Sequence, residues 1–118
     1  MRLAKTIKLT DDGVALFDVD GDGVIVNRYA PFYFFPYARY SAGVIRSGYE
    51  TKLTVMRNPW LEFASAPLGD FCSRLGGGGH QRVGSILMHN RKGTKALRNV
   101  LGQIRAWETH QPGTVAAA

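Results

Sequence analysis

Four glycines in a row, Gly76 to Gly79, constrain this chain of 118 residues more than any other feature. A helix end needs only one glycine, at the residue that turns to positive φ. A flexible linker needs a domain on each side, and a chain of this length forms one domain with a modest core. A Walker loop continues into Gly-Lys-Ser/Thr, whereas this run continues into His80-Gln81-Arg82. A dinucleotide fingerprint needs a further glycine three residues past its second, and no register of the run supplies it. Two readings stay open. One is a structural turn. The other is a site of close approach, in which bare backbone turns successive N–H groups of Gly77, Gly78 and Gly79 toward an anion. His80 then adds a donor that can carry charge near neutral pH, and Arg82 adds a guanidinium fork suited to phosphate oxygens.

The hydrophobic period changes near the middle of the chain. Val14 to Phe17 and Val24 to Val26 are β-prone runs around Asp20-Gly21-Asp22-Gly23, which predicts a hairpin. Further strands are expected at residues 39–45 and 49–56, with Ser47-Gly48 as the turn between them. Pro31 and Pro36 make the aromatic stretch PFYFFPY a rigid connector rather than a central strand. Leu68, Phe71, Cys72 and Leu75 then recur at helical spacing, with Pro67 at the start and Gly76 as the C-terminal cap. Val83 to Met88 is expected as a strand. A second helix over residues 94–108 has Leu97, Val100, Leu101, Ile104 and Trp107 inward and Lys95, Arg98 and Arg105 outward. The expected fold is a single α+β domain over residues 1–110. It has a mixed sheet of about five strands with two main helices packed on it, and a flexible tail over 111–118.

Composition narrows the function classes. Fifteen Lys+Arg against nine Asp+Glu leave a net charge of +6, which favours anionic partners or serves solubility alone. A lone cysteine, Cys72, excludes an internal disulfide and fits a reducing cytoplasm. No apolar run is long enough to span a bilayer, and residues 1–12 have no signal-peptide core, so no membrane partner is expected. Asp18 to Gly23 matches the first half of a calcium loop, but its twelfth position is Tyr29 where a bidentate Glu is required. The three histidines, His80, His89 and His110, are scattered with no carboxylate spacing that forms a metal site, so no metal is expected in this chain. Phe32, Tyr33, Phe34, Phe35, Tyr37 and Tyr40, with Arg28 and Arg39, have the composition of a single-strand-binding surface. They equally fit a core or a dimer interface. Arg57-Asn58-Pro59-Trp60 either sets a guanidinium and an amide beside the glycines or starts a turn with Trp60 in the core.

Arg74-Leu75-Gly76-Gly77-Gly78-Gly79-His80, after a short helix and before a strand of small residues, resembles the glycine-rich signature of the DHH-associated domain. That domain is the C-terminal companion of the metal-dependent DHH phosphoesterases. Thr54-Val55-Met56-Arg57-Asn58 is similar to its strand ending in arginine, and the resemblance covers about residues 49–109. It implies that Gly77, Gly78, Gly79 and His80, with Arg57, hold the phosphate of a substrate in a cleft between two domains. Asn58 and Arg82 complete the candidate set. The family continues into Ala-Ala-Gly where this chain has Val83-Gly84-Ser85. The family's chemistry resides in an Asp-His-His domain that binds two divalent metals, such as manganese, and this sequence has no Asp-His-His. The expectation is a binding module for a phosphorylated small molecule, a nucleotide or a short oligonucleotide, with catalysis left to a separate DHH domain. The alternatives are a stand-alone single-strand binder and an oligomerising interaction module.

Overall fold

The computed structural model describes residues 7–20, 29–48, 50–89 and 93–110. Strands β1 (Lys8–Leu9), β2 (Val14–Asp20), β3 (Tyr40–Ser47), β4 (Glu50–Arg57), β5 (Gly78–His80) and β6 (Val83–Met88) form one sheet of order β1-β2-β3-β4-β6-β5. Among the described residues only the β2–β3 pair is parallel, so the sheet is mixed as expected. Helices α1 (Ala30–Phe34), α2 (Leu68–Ser73) and α3 (Gly93–Thr109) complete the described residues.

Among the described residues two strands, β1 and β5, and one short helix go beyond the expectation. Strand β5 arises because Gly78–His80 pairs with β6 where the sequence reads as a loop, and the expected strand at 24–26 lies outside the described residues. Strand β1 is local: the Thr10 carbonyl accepts from Gly13 N–H, Gly13 takes φ +80°, and the chain folds Lys8–Leu9 back on Ala15–Leu16. The extra helix forms inside the aromatic stretch. Pro31 sits in its first turn, where a missing N–H costs nothing, and Phe35 N–H closes on the Pro31 carbonyl at 2.9 Å. The first strand of the expected hairpin is longer than residues 14–17. Strand β2 runs on through Asp18-Val19-Asp20, so the first positions of the apparent calcium loop are extended backbone. Residues 21–26, the rest of that hairpin, and the tail 111–118 lie outside the described residues.

Strand alternation sorts the core into two layers. Tyr40, Ala42, Val44, Leu53 and Val55 face α2 and α3, where they pack with Leu68, Phe71, Cys72, Val100 and Ile104. Ala15, Phe17 and Met56 face the opposite way and pack with Phe32 of α1, Ile7 and Ala38. Helix α3 follows its predicted stripe, with Val100 and Ile104 fully buried and Leu97, Leu101 and Trp107 half-buried against them. Among the described residues no helix is long and apolar enough to cross a membrane.

Candidate functional site

The glycine run divides its work residue by residue. Gly76 takes φ +90°, its N–H donates to the Ser73 carbonyl, and Gly77 N–H donates to Cys72 at 2.8 Å. This pair of bonds is a Schellman closure of α2, with the cap where the sequence places it. Gly77 also passes so close to the Ser85 carbonyl and the Ile86 side chain that a Cβ there has no room. Gly79 adopts φ +137° against Val83 and Gly84. Gly78 differs from all three: its φ is ordinary, and a Cβ added there meets nothing within 4 Å.

Arg57 N–H donates to the Arg82 carbonyl at 2.8 Å, which sets the alternation of the β4–β6 ladder. Val83 and Ser85 therefore turn their main-chain groups to β5, where they pair with His80 and Gly78. The run does not display a cradle of consecutive outward amides. Two close the helix, those of Gly78 and His80 face β6, and that of Gly79 lies along the sheet edge.

Helix α2 covers one side of the β5–β6 hairpin at backbone distance. A Cβ on Gly69 would come within 2.6 Å of the Gly79 main chain, and one on Gly84 within 2.7 Å of Cys72 Sγ. Among the described residues the other side is uncovered except at Val83, which packs against the Met56 layer. Register aligns Gly78 with Ser85 and Thr54 across three strands, and His80 with Val83 and Met56 in the next row. Directly opposed residues share a face. That face therefore carries exposed His80, Lys52 and Leu87 around half-buried Thr54 and Ser85, and exposed Arg82 lies in the hairpin turn. Lys52, Thr54 and Ser85 are absent from the sequence-derived set. Their only signal is the pairing of residues 54 and 85, which is long-range and invisible to local pattern.

Arg57 and Asn58 lie elsewhere. Arg57 is on the helix-covered face and only 7% exposed. Its guanidinium donates to the Asn58 carbonyl at 3.2 Å and the Phe63 carbonyl at 2.6 Å, and stacks 4.3 Å from the Phe63 ring centroid. Burial, and then the nearby Arg82 charge, lower its pKa. Asn58 is fully buried. Its Nδ2 donates to the Pro36 and Ala38 carbonyls at 3.0 and 2.8 Å, and its Oδ1 accepts from Trp60 N–H at 2.9 Å. Both residues hold the 58–63 loop in place. Trp60, placed in the core where residues 57–60 are read as a turn, is instead 54% exposed.

Beneath Arg57, Tyr40 packs edge-to-face on Phe63 at 5.4 Å and accepts Ala66 N–H. Burial pushes its hydroxyl up to about 12 and the Cys72 thiol up to about 11. Among the described residues no three His, Cys, Asp or Glu side chains gather as metal ligands.

No family model matches the sequence, and no curated protein matches it. Solved structures do share the fold. A pGpG-specific phosphodiesterase, PggH, from Vibrio cholerae superposes with a TM-score of 0.73 at 17% identity, over 86% of this chain and 36% of that one. An exopolyphosphatase-related protein from Bacteroides fragilis superposes with a TM-score of 0.64 at 13% identity, over 92% of this chain and 33% of that one. This chain thus spans about a third of the length of each. The fold that the resemblance to the DHH-associated domain implies is the fold observed.

Proposed function

We propose that this chain is a phosphate-binding module of a nucleotide-directed phosphoesterase, and that it captures its ligand on the open face of the β5–β6 hairpin. The observation that carries this reading is the pairing of Gly78 with His80. Gly78 is the glycine of the run that the fold itself does not need, and it stands two residues from an exposed imidazole on the same face. A bare Cα lets a phosphate approach the strand, His80 donates a hydrogen bond to it, and Lys52 on the same face adds positive charge. Arg82, paired opposite Arg57, lies toward the helix-covered side and acts only at longer range. The fold neighbours support the substrate class, since one is a dinucleotide phosphodiesterase and the other is related to an exopolyphosphatase. Hydrolysis belongs in this reading to a separate DHH catalytic domain and its divalent metal. Arg57 and Asn58 serve as supports of the site rather than ligand contacts.

Calorimetric titration with pyrophosphate and with GMP tests the assignment. Because a hydrogen bond to a charged group contributes about 1.5–3 kcal/mol, His80→Ala is expected to weaken both ligands roughly tenfold or more. Arg82→Ala is expected to weaken them less and to flatten the salt dependence. A steep log–log salt slope would instead mark a contact with several nucleic-acid phosphates. Unchanged affinity in His80→Ala sinks the proposal.

A further inference from the structure

One row of the sheet crosses the uncovered face as Gly43, Thr54, Ser85 and Gly78, on β3, β4, β6 and β5 in turn. Its two ends differ. A Cβ on Gly43 would meet the Phe17 ring at 2.6 Å, so that ring lies over the β3 end and closes it. A Cβ on Gly78 meets nothing within 4 Å, so the β5 end is free. The neighbouring rows form the sides. Met56 and Val83 pack in one layer on the first, and Lys52 and Leu87 stand exposed on the second. Half-buried Thr54 and Ser85 lie between them. The row is a trough with two hydroxyls on its floor and one open end.

The ladder sets these hydroxyls close together. Arg57 N–H bonds the Arg82 carbonyl, so by alternation Thr54 and Ser85 form a non-hydrogen-bonded pair, the arrangement with the closer side chains. Opposed Cβ atoms in such a pair stand about 5 Å apart, and diagonal neighbours about 7–8 Å. His80 is the diagonal neighbour of Ser85 on β5, and Lys52 is its diagonal neighbour on β4. An oxyanion seated over Ser85 is therefore within reach of both hydroxyls and of the His80 imidazole, with the Lys52 ammonium alongside.

We infer that Thr54 and Ser85 are specificity-determining residues of the phosphate site, and that they select a terminal phosphoryl group over an internal phosphodiester. Three donors on three strands, His80, Ser85 and Thr54, match the three unesterified oxygens of a terminal phosphate. An internal diester offers two. Its two ester arms also leave in different directions, whereas the trough has one exit, past Gly78. This inference rests on the proposed phosphate site and adds the class of phosphate that the site takes.

Two probes with the same base separate the inference from its premise: GMP, which ends in a phosphate, and GpG, whose phosphate is an internal diester. GMP is expected to bind at least tenfold more tightly. Thr54→Val and Ser85→Ala each remove one hydroxyl without changing charge, and each is expected to weaken GMP about tenfold while leaving GpG unchanged. Thr54→Ser, which keeps the hydroxyl, is expected to retain most of the GMP affinity and so to exclude a merely structural role. A preference for GMP that persists at full size in both hydroxyl-free variants comes from the monoester's extra charge alone and overturns the inference. Equal affinities for GMP and GpG, each lost in His80→Ala, overturn it as well and leave the phosphate site standing. Absence of GMP binding overturns both.

Discussion

The two sides of the β5–β6 hairpin use the same residue type for opposite ends. On the side covered by α2, Gly69 and Gly84 bring helix and strand together at main-chain distance. On the open side, Gly78 meets nothing. A glycine cluster can therefore be a packing device and an exposed surface within three residues. Its meaning is read from what a Cβ would strike, and the mere number of glycines does not carry it.

The contrast breaks hardest on the covered side. Gly84→Val places a branched side chain where the Cys72 sulfur and the Leu68 carbonyl already lie, 2.7 and 2.8 Å from the new Cβ. Neither partner can retreat without moving α2, so the expected cost is about 3 kcal/mol or more. Chemical denaturation measures it. A loss below 1 kcal/mol would mean that α2 does not sit on the hairpin as described. Asn58→Ala comes next. It removes the Asn58 side-chain bonds to the buried Ala38 carbonyl, the part-buried Pro36 carbonyl and the Trp60 N–H, for an expected loss of about 2 kcal/mol. The same variant is expected to loosen Trp60, seen as a red shift of its fluorescence in the Trp107→Phe background.

Alkali probes the covered layer more gently. Tyr40 and Cys72 are held neutral by burial, with pKa values raised to about 12 and about 11 from ordinary values of 10.0 and 9.0. A raised pKa in the fold means that the unfolded chain loses its proton first. Stability from these groups is therefore complete below about pH 9 and falls as pH rises toward 12. Each group removes up to about 1.4 kcal/mol per pH unit within its window. Urea midpoints at pH 8 and pH 11 check this, and Tyr40→Phe is expected to flatten the upper part of the decline. A midpoint independent of pH would contradict the burial of both groups.

Much of the fold was legible in local pattern. Helix α3 comes directly from the period of 3.6, strand β6 lies where Val83 to Met88 is expected as one, and the cap at Gly76 comes from the need for a positive φ. The aromatic stretch was less legible, because Pro31 suits a first helical turn as readily as it forbids a central strand. The site was legible only in part. Glycine and histidine at 78 and 80 are visible as a motif, but their neighbours on the sheet face are fixed by pairing across some thirty residues. Arg57 is expected as a phosphate contact because the resemblance ends its strand in arginine, and Asn58 because it follows next; the structure buries both. Their burial follows from the path of the 58–63 loop: Asn58-Pro59 signals its turn, but not that Phe63 returns over the guanidinium.

The smallest expected change in stability carries the most information about function. Gly78→Val adds a side chain where nothing stands within 4 Å, in a strand position with ordinary φ. The β-branched residue suits an extended backbone and removes the unfolded chain's excess freedom, so the shift in stability is expected within about 0.5 kcal/mol. Ligand binding is expected to respond quite differently. The isopropyl group occupies the approach to the strand beside His80, and pyrophosphate and GMP affinities are both expected to fall at least tenfold. Gly77→Ala is the counterpart, with a large stability loss from the Ser85 carbonyl it strikes and no obstruction of the open face. If Gly78→Val melts like the parent and binds like the parent, the open face is only a surface, and the separation of roles within the glycine run fails at the residue on which it depends.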